Sequence, residues 1–167
     1  ISKVKVQDFP ATHRDMLFYR IGEYKMRNRL FEEAAESFSR VDAGSSLHLK
    51  ARYNQALAYA EAAQAAKTSP ARAHELNERA IQLLDGIVQG TSSRGITDVN
   101  RVAAIIGKAR VYYQMKKFDE ALESYSEIPS DTEMWHDPLF ESTWAMKRSG
   151  KFRAALSNFH SLHSPYY

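Results

Sequence analysis

The 167-residue chain contains no cysteine. That excludes disulfides, thiolate catalysis and cysteine-based zinc sites together, and it suits reducing and oxidising compartments alike. Glycine and proline are scarce, at 7 and 5 residues, so long disordered tracts are not expected. No stretch approaches the roughly 18 apolar residues of a membrane span. Even the alanine-rich part, 56–66, carries Glu61 and Gln64, and direct membrane insertion is not expected. The net charge of +3 is too small to imply a nucleic-acid partner. Acids and bases interleave along most of the chain, as on a solvated helical surface. The chain does not begin with Met and ends at Ser164-Pro165-Tyr166-Tyr167. It is expected to be a piece of a longer protein, so that any targeting segment can lie outside it; localisation stays open, with a periplasmic or envelope-associated place favoured over the cytoplasm.

Patterns that carry chemistry are equally scarce. The loop Gln89-Gly90-Thr91-Ser92-Ser93-Arg94-Gly95 invites comparison with a phosphate cradle, but no strand precedes it and no GxxxxGK[ST] is present. It reads as a linker. Among six histidines only His160 and His163 lie close on one helix. Without an HExxH pattern they read as a surface or interface pair rather than zinc ligands. The carboxylate pairs Glu32/Glu33, Glu75/Glu78 and Glu120/Glu123 sit on exposed helix faces, where nothing raises a pKa for acid catalysis. No nucleophile elbow surrounds any serine. These absences predict a protein that is not an enzyme and holds no cofactor or metal.

What the chain does have is a repeated helical hairpin. In AIIGKARVYYQMKKFDEALESYSEIPSD, residues 104–131, Ile105, Ala109 and Tyr112 share one helical face. After the polar turn Met115-Lys116-Lys117, Phe118, Ala121, Leu122, Tyr125 and Ile128 share another. Small Ala109 and Ala121 permit close helix packing, and Pro129 stops the second helix. Phe152-Arg153-Ala154-Ala155 repeats Phe118-Asp119-Glu120-Ala121 at a step of 34 residues. Phe31-Glu32-Glu33-Ala34-Ala35 is a third copy, followed by Phe38 and Val41. Gly22 precedes Phe31 by the same interval that separates Ala109 from Phe118. A less regular unit places Asn54, Ala56 and Tyr59 in one helix and Ala80, Leu84 and Ile87 in the next. Ala34, Ala80, Ala121 and Ala155 are expected to be buried where paired helices approach most closely.

The helix boundaries follow from local signals. The first helix runs from Pro10 or Thr12 to about residue 27, and the second over about 30–41, with Gly44 available for a left-handed cap. Ser45 or Ser46 starts the third, which Lys67-Thr68-Ser69-Pro70 breaks, with Pro70 opening the next. Asp98 caps the helix that carries Val102. Ser130-Asp131-Thr132-Glu133 has a capping pattern, Pro138 opens the following helix, and the last fades near Ser164. Lys3-Val4-Lys5-Val6 alternates like a strand but has no partner, so the lead-in before the repeat domain, 1–14, reads as extended as far as Asp8-Phe9-Pro10.

The aromatic-acid-acid-Ala box and its 34-residue step identify a resemblance to tetratricopeptide repeat (TPR) proteins over residues 15–164. The units are about 15–44, 45–95, 96–131 and 134–164, within a repeat domain of 15–167. The resemblance implies an all-α, right-handed α-solenoid of about four helical hairpins. The first-helix signature is weaker, since Lys108 and Ser142 stand where the family usually has Leu. In such proteins the first helices line a concave surface that receives a partner peptide or helix. The family's inward positions fall on Tyr19, Glu23, Met26 and Arg27, on Lys50, Tyr53 and Leu57, on Ile106, Arg110, Tyr113 and Gln114, and on Phe140, Trp144, Lys147 and Arg148. Tyr, Trp and Arg are enriched at interface centres, so the implied partner is a protein or peptide with apolar and acidic side chains. Tyr53, Arg110, Tyr113 and Trp144 are the expected anchors, with Arg110 free of core packing. A chaperone-tail clamp is rejected, because Tyr19 and Glu23 replace its first-unit Lys and Asn. The run from Trp135 through Trp144, with Ala155-Leu156 and the tyrosine ending, is similar to TPR scaffolds of bacterial envelope complexes. That similarity offers an alternative, a structural module stacking on other domains or subunits. Nucleic-acid binding through Arg20, Lys25, Lys108 and neighbouring cations is the weakest alternative, and no nucleic-acid partner is expected.

Overall fold

The computed structural model describes residues 9–66 and 68–162. Among them are eight α-helices and no strand: α1 Ala11–Arg27, α2 Phe31–Ser39, α3 His48–Ala65, α4 Pro70–Gly90, α5 Val99–Gln114, α6 Phe118–Ser126, α7 His136–Arg148 and α8 Phe152–Leu162. The Lys3–Val6 alternation, His163 and the tyrosine ending lie outside the described residues. The chain forms two compact units that divide between Leu83 and Leu84, inside α4.

In the first unit α1 and α2 form a hairpin on which α3 packs. Tyr19, Ala34, Ala35, Phe38, Val41, Ala51 and Ala58 make one buried cluster. Ala62, Ala63 and Leu76 make another, with Phe31 and Tyr59 against it. The small-residue slot at Gly22 is a steric necessity. A methyl there would stand 2.6 Å from the ring of buried Phe38, well inside van der Waals contact. In the second unit Val102, Ile105, Ile106 and Ala109 of α5 pack against Ala121 and Tyr125 of α6, with Ile128 and Ala145 beside them.

Ala34, Ala80 and Ala121 are fully buried, as the repeat register predicts. Ala155 is only half-buried, and no residue of α8 is fully buried. The expectation fails there because α8 packs chiefly on α7, and its outer side is exposed among the described residues.

Three hairpins close through one turn design. Arg29, Lys116 and Gly150 adopt positive φ of 59°, 62° and 79°. The next amide in each case donates back over the last helical turn: Leu30 N–H to Lys25 O, Lys117 N–H to Tyr112 O, and Lys151 N–H to Met146 O. This six-to-one bond around a left-handed residue is the Schellman end. The expected cap at Gly44 does not form, since Gly44 is not among the positive-φ glycines. Instead the Asp42 carboxylate accepts the Gly44 N–H at 2.8 Å, an Asx turn that satisfies the backbone without a left-handed residue. The start of α3 also differs, because Ser45 and Ser46 lie in a turn before His48. Asp98 does cap α5, accepting from the amides of Asn100 and Arg101 at 2.9 and 3.1 Å. Thr132, by contrast, donates to Pro129 O at 3.0 Å and caps nothing; α7 starts from Trp135 without a side-chain cap. It begins at His136, two residues before Pro138.

Candidate interaction surface

In the first unit Tyr19, Glu23 and Arg27 recur one turn apart on α1, while Lys50, Tyr53 and Leu57 share a face of α3. Tyr19 is not available to a partner, being only 3% exposed. Its ring meets Phe38 at 5.6 Å, Asn54 Nδ2 donates to its hydroxyl at 2.8 Å, and Lys50 Nζ stands 5.4 Å over the ring. The inward aromatic expected to meet a partner is therefore a core residue that ties α1 to α3. Glu23 pairs with Arg20 at 2.8 Å. Arg27 and Lys50 are exposed, while Tyr53 and Leu57 are half-buried.

In the second unit the expected residues converge. Arg110, Tyr113 and Trp144 line a pocket of about 240 Å³ together with Tyr125 and Glu141. Arg110 is not a free anion hook. Its Nε and Nη2 grip the Glu141 carboxylate at 2.9 and 2.5 Å, a bidentate arrangement that fixes both planes. The Tyr125 hydroxyl donates to the same carboxylate at 2.8 Å. Burial by itself would raise the Glu141 pKa, but the Arg110 and Tyr125 hydrogen bonds outweigh it and hold the carboxyl below its ordinary range. Burial, followed by the Glu141 bond, pushes the Tyr125 phenol up, so it stays a donor. The expectation that Arg110 carries no packing is corrected by this network, which joins α5, α6 and α7.

Beside the pocket α7 presents Phe140 and Trp144, 48% and 46% exposed, in edge-on contact at 6.4 Å. Lys147 Nζ lies 5.1 Å over the indole. Arg148 stacks at 5.5 Å on Phe118, which meets Tyr113 edge-on at 5.4 Å. Glu141 and the hydroxyl role of Tyr125 were not legible in the sequence. The spacing of Tyr125 marks it as core, and the pairing of Arg110 with a residue 31 positions away exists only after α7 docks.

Lys108 shows how the fold accepts a departure from the repeat pattern. Burial opposes its charge, yet Asp85 at 3.2 Å and Glu127 at 3.6 Å more than compensate, and its pKa is raised. The other departure, Ser142, is buried, donating to Leu139 O and accepting from Asn158 Nδ2. Among the described residues no cluster of His, Asp and Glu could hold a metal ion, and no helix is long and apolar enough to cross a membrane.

No family model matches the sequence, and no curated protein does. Solved structures do. The crystal structure of nearly identical TPR-like repeats from a Podosopora anserina protein assigned to the kinesin light chains superposes with a TM-score of 0.66 at 17% identity, over 90% of this chain and 74% of that one. A single-substitution variant of that protein gives 0.68 at 16% identity, over 92% and 75%. The chain thus has the all-α, TPR-like helical-repeat solenoid fold. The neighbours lend no support to a bacterial-envelope assignment.

Proposed function

We propose that this protein is a non-catalytic interaction module that binds a partner peptide or helix along its first helices. The observation that carries the reading is the pocket of Arg110, Tyr113, Tyr125, Glu141 and Trp144, with half-exposed Phe140 and Trp144 at its edge. Exposed aromatic rings held rigid beside a preorganised pocket are the usual anchors of an interface. Because Glu141 already neutralises Arg110, the pocket favours an uncharged apolar or aromatic partner side chain. Acidic partner residues would instead meet Lys147 and Arg148 at its rim, where charge steers association more than it holds. Arg27, Lys50, Tyr53 and Leu57 extend the same reading to the first unit, and Glu23 offers a partner cation a carboxylate shared with Arg20.

The test is selection of binders from a random peptide library on the folded chain, followed by titration against Trp144→Ala. Selected peptides should carry an aromatic or aliphatic anchor, and Trp144→Ala should weaken them by roughly 1–2 kcal/mol with the fold intact. Peptides whose affinity ignores Trp144 and Phe140 would move the site elsewhere.

A further inference from the structure

Within the first unit the α3–α4 hairpin carries a pocket of another kind, on the side of α3 turned away from Lys50, Tyr53 and Leu57. Arg52, Gln55 and Tyr59 follow one another at helical spacing on α3, and Arg79, Gln82 and Leu83 do so on α4. Together they line about 320 Å³. The lining holds two guanidiniums, two amides and no carboxylate. It differs in this from the pocket at Arg110, where Glu141 answers the cation.

Two groups in the lining are unmet. Among the cations described on these helices, Arg72 and Arg79 each bind Glu75 at 2.7 Å, and Lys50 stands over Tyr19. Half-buried Arg52 has no acid and no hydrogen-bond partner among the described residues. Gln55 is the stronger sign. It is only 6% exposed, yet its Oε1 is buried without a hydrogen bond, a state that buried amides rarely keep. With Oε1 turned inward, Nε2 is the end of the amide left for the pocket. A leucine would fill this position without leaving a buried acceptor unmet, so packing alone gives no reason for an amide here. Arg79 is a third donor already fixed in place, held by Glu75 and lying 5.8 Å over the Tyr59 ring, with N–H groups to spare. Donors that converge from two helices suit the three splayed oxygens of a phosphoryl group better than the planar pair of a carboxylate. The space exceeds one phosphoryl group, and Tyr59 and Leu83 give the remainder an apolar wall. We infer that the α3–α4 pocket binds a phosphate monoester. Its oxygens accept from Arg52, Arg79 and Gln55 Nε2, and its ester carbon lies against Tyr59 and Leu83.

Calorimetric titration of the whole chain at fixed ionic strength tests this with inorganic phosphate, glycerol phosphate, a phosphoserine peptide and acetate. Both esters should bind saturably and more tightly than inorganic phosphate, with acetate weaker still. Arg52→Gln should weaken the esters about tenfold or more, as loss of a charged hydrogen-bond donor does. The charge-matched change Arg94→Gln, in the loop before α5, should leave them unaltered. Gln55→Leu should weaken them too, yet without lowering the melting temperature, because it removes an acceptor that is buried unmet. Tighter binding of the peptide would name a phosphorylated protein as the source of the group, and equal affinity a small ester; either supports the site. The inference is overturned if neither ester binds saturably, as it would be if the chain's own residues filled the pocket. It is overturned equally if acetate or inorganic phosphate binds as tightly as the esters, or if Arg94→Gln weakens binding as much as Arg52→Gln. A melting temperature that falls in Gln55→Leu would assign the amide to the core and sink it as well.

Discussion

The α5–α6 hairpin and the α7–α8 hairpin repeat one pattern 34 residues apart, yet they differ in burial. Ala121 and Tyr125 are buried, whereas Ala155 is half-buried and Phe159 exposed. The same contrast holds on the first helices, where Ile106 is buried and its counterpart Phe140 half-exposed. The side chains are of similar size and polarity, so composition does not explain the difference. Burial at these positions is supplied by the next hairpin, as expected when each repeat contacts only its neighbours. In the last described hairpin these apolar groups are accordingly exposed.

The largest test of that comparison is truncation of matched aromatics. Phe38→Ala removes a ring that is 1% exposed and should cost about 3–5 kcal/mol. Phe159→Ala, in the same register, should cost about 1 kcal/mol or less. Equal losses in chemical denaturation would show that α8 is as well packed as α2.

Small residues sharpen the contrast next. Gly22→Ala adds a methyl against Phe38 and should destabilise by about 1–3 kcal/mol, despite the better helix propensity of alanine. Gly86→Ala, in α4 with nothing within 4 Å of the added methyl, should instead gain about 0.5–1 kcal/mol. A thermal melt of each variant gives opposite shifts if the packing is as described.

The Arg110–Glu141–Tyr125 network comes third. Arg110→Ala should cost about 1 kcal/mol, a modest figure because the guanidinium is half-exposed and water screens it. The folded-state pKa of Glu141 lies below its ordinary 4.5, so its contribution is present above that value and lost as pH falls through the lowered one. Glu141→Gln should therefore show a shallower fall in stability below about pH 4.5 than the native chain does. Parallel acid titrations of the two would refute the pairing.

The smallest effect lies in the turns. Lys116→Gly relieves a left-handed non-glycine residue, and Gly150→Ala imposes one, so the two should shift stability in opposite directions by about 0.5–1 kcal/mol each. Shifts of the same sign would mean that the turns are not equivalent.

That the chain is helical and built of hairpins is written in its residue order. Phe31, Phe118 and Phe152 with their alanines recur at helical spacing, and Gly22 and Ala109 mark where helices must approach closely. Those are local properties, carried by periodicity and side-chain size. Which members of a repeated set are core and which are surface depends on the packed molecule. Tyr19 is buried because α3 places Asn54 and Lys50 against it, while no described helix beyond α8 does the same for its counterpart Phe140. Packing likewise commits Arg110 to Glu141 before any partner, since their carboxylate and guanidinium meet only when α7 docks on α5. Periodicity specifies a face, whereas burial and ion pairing need the residue that arrives on that face from elsewhere in the chain.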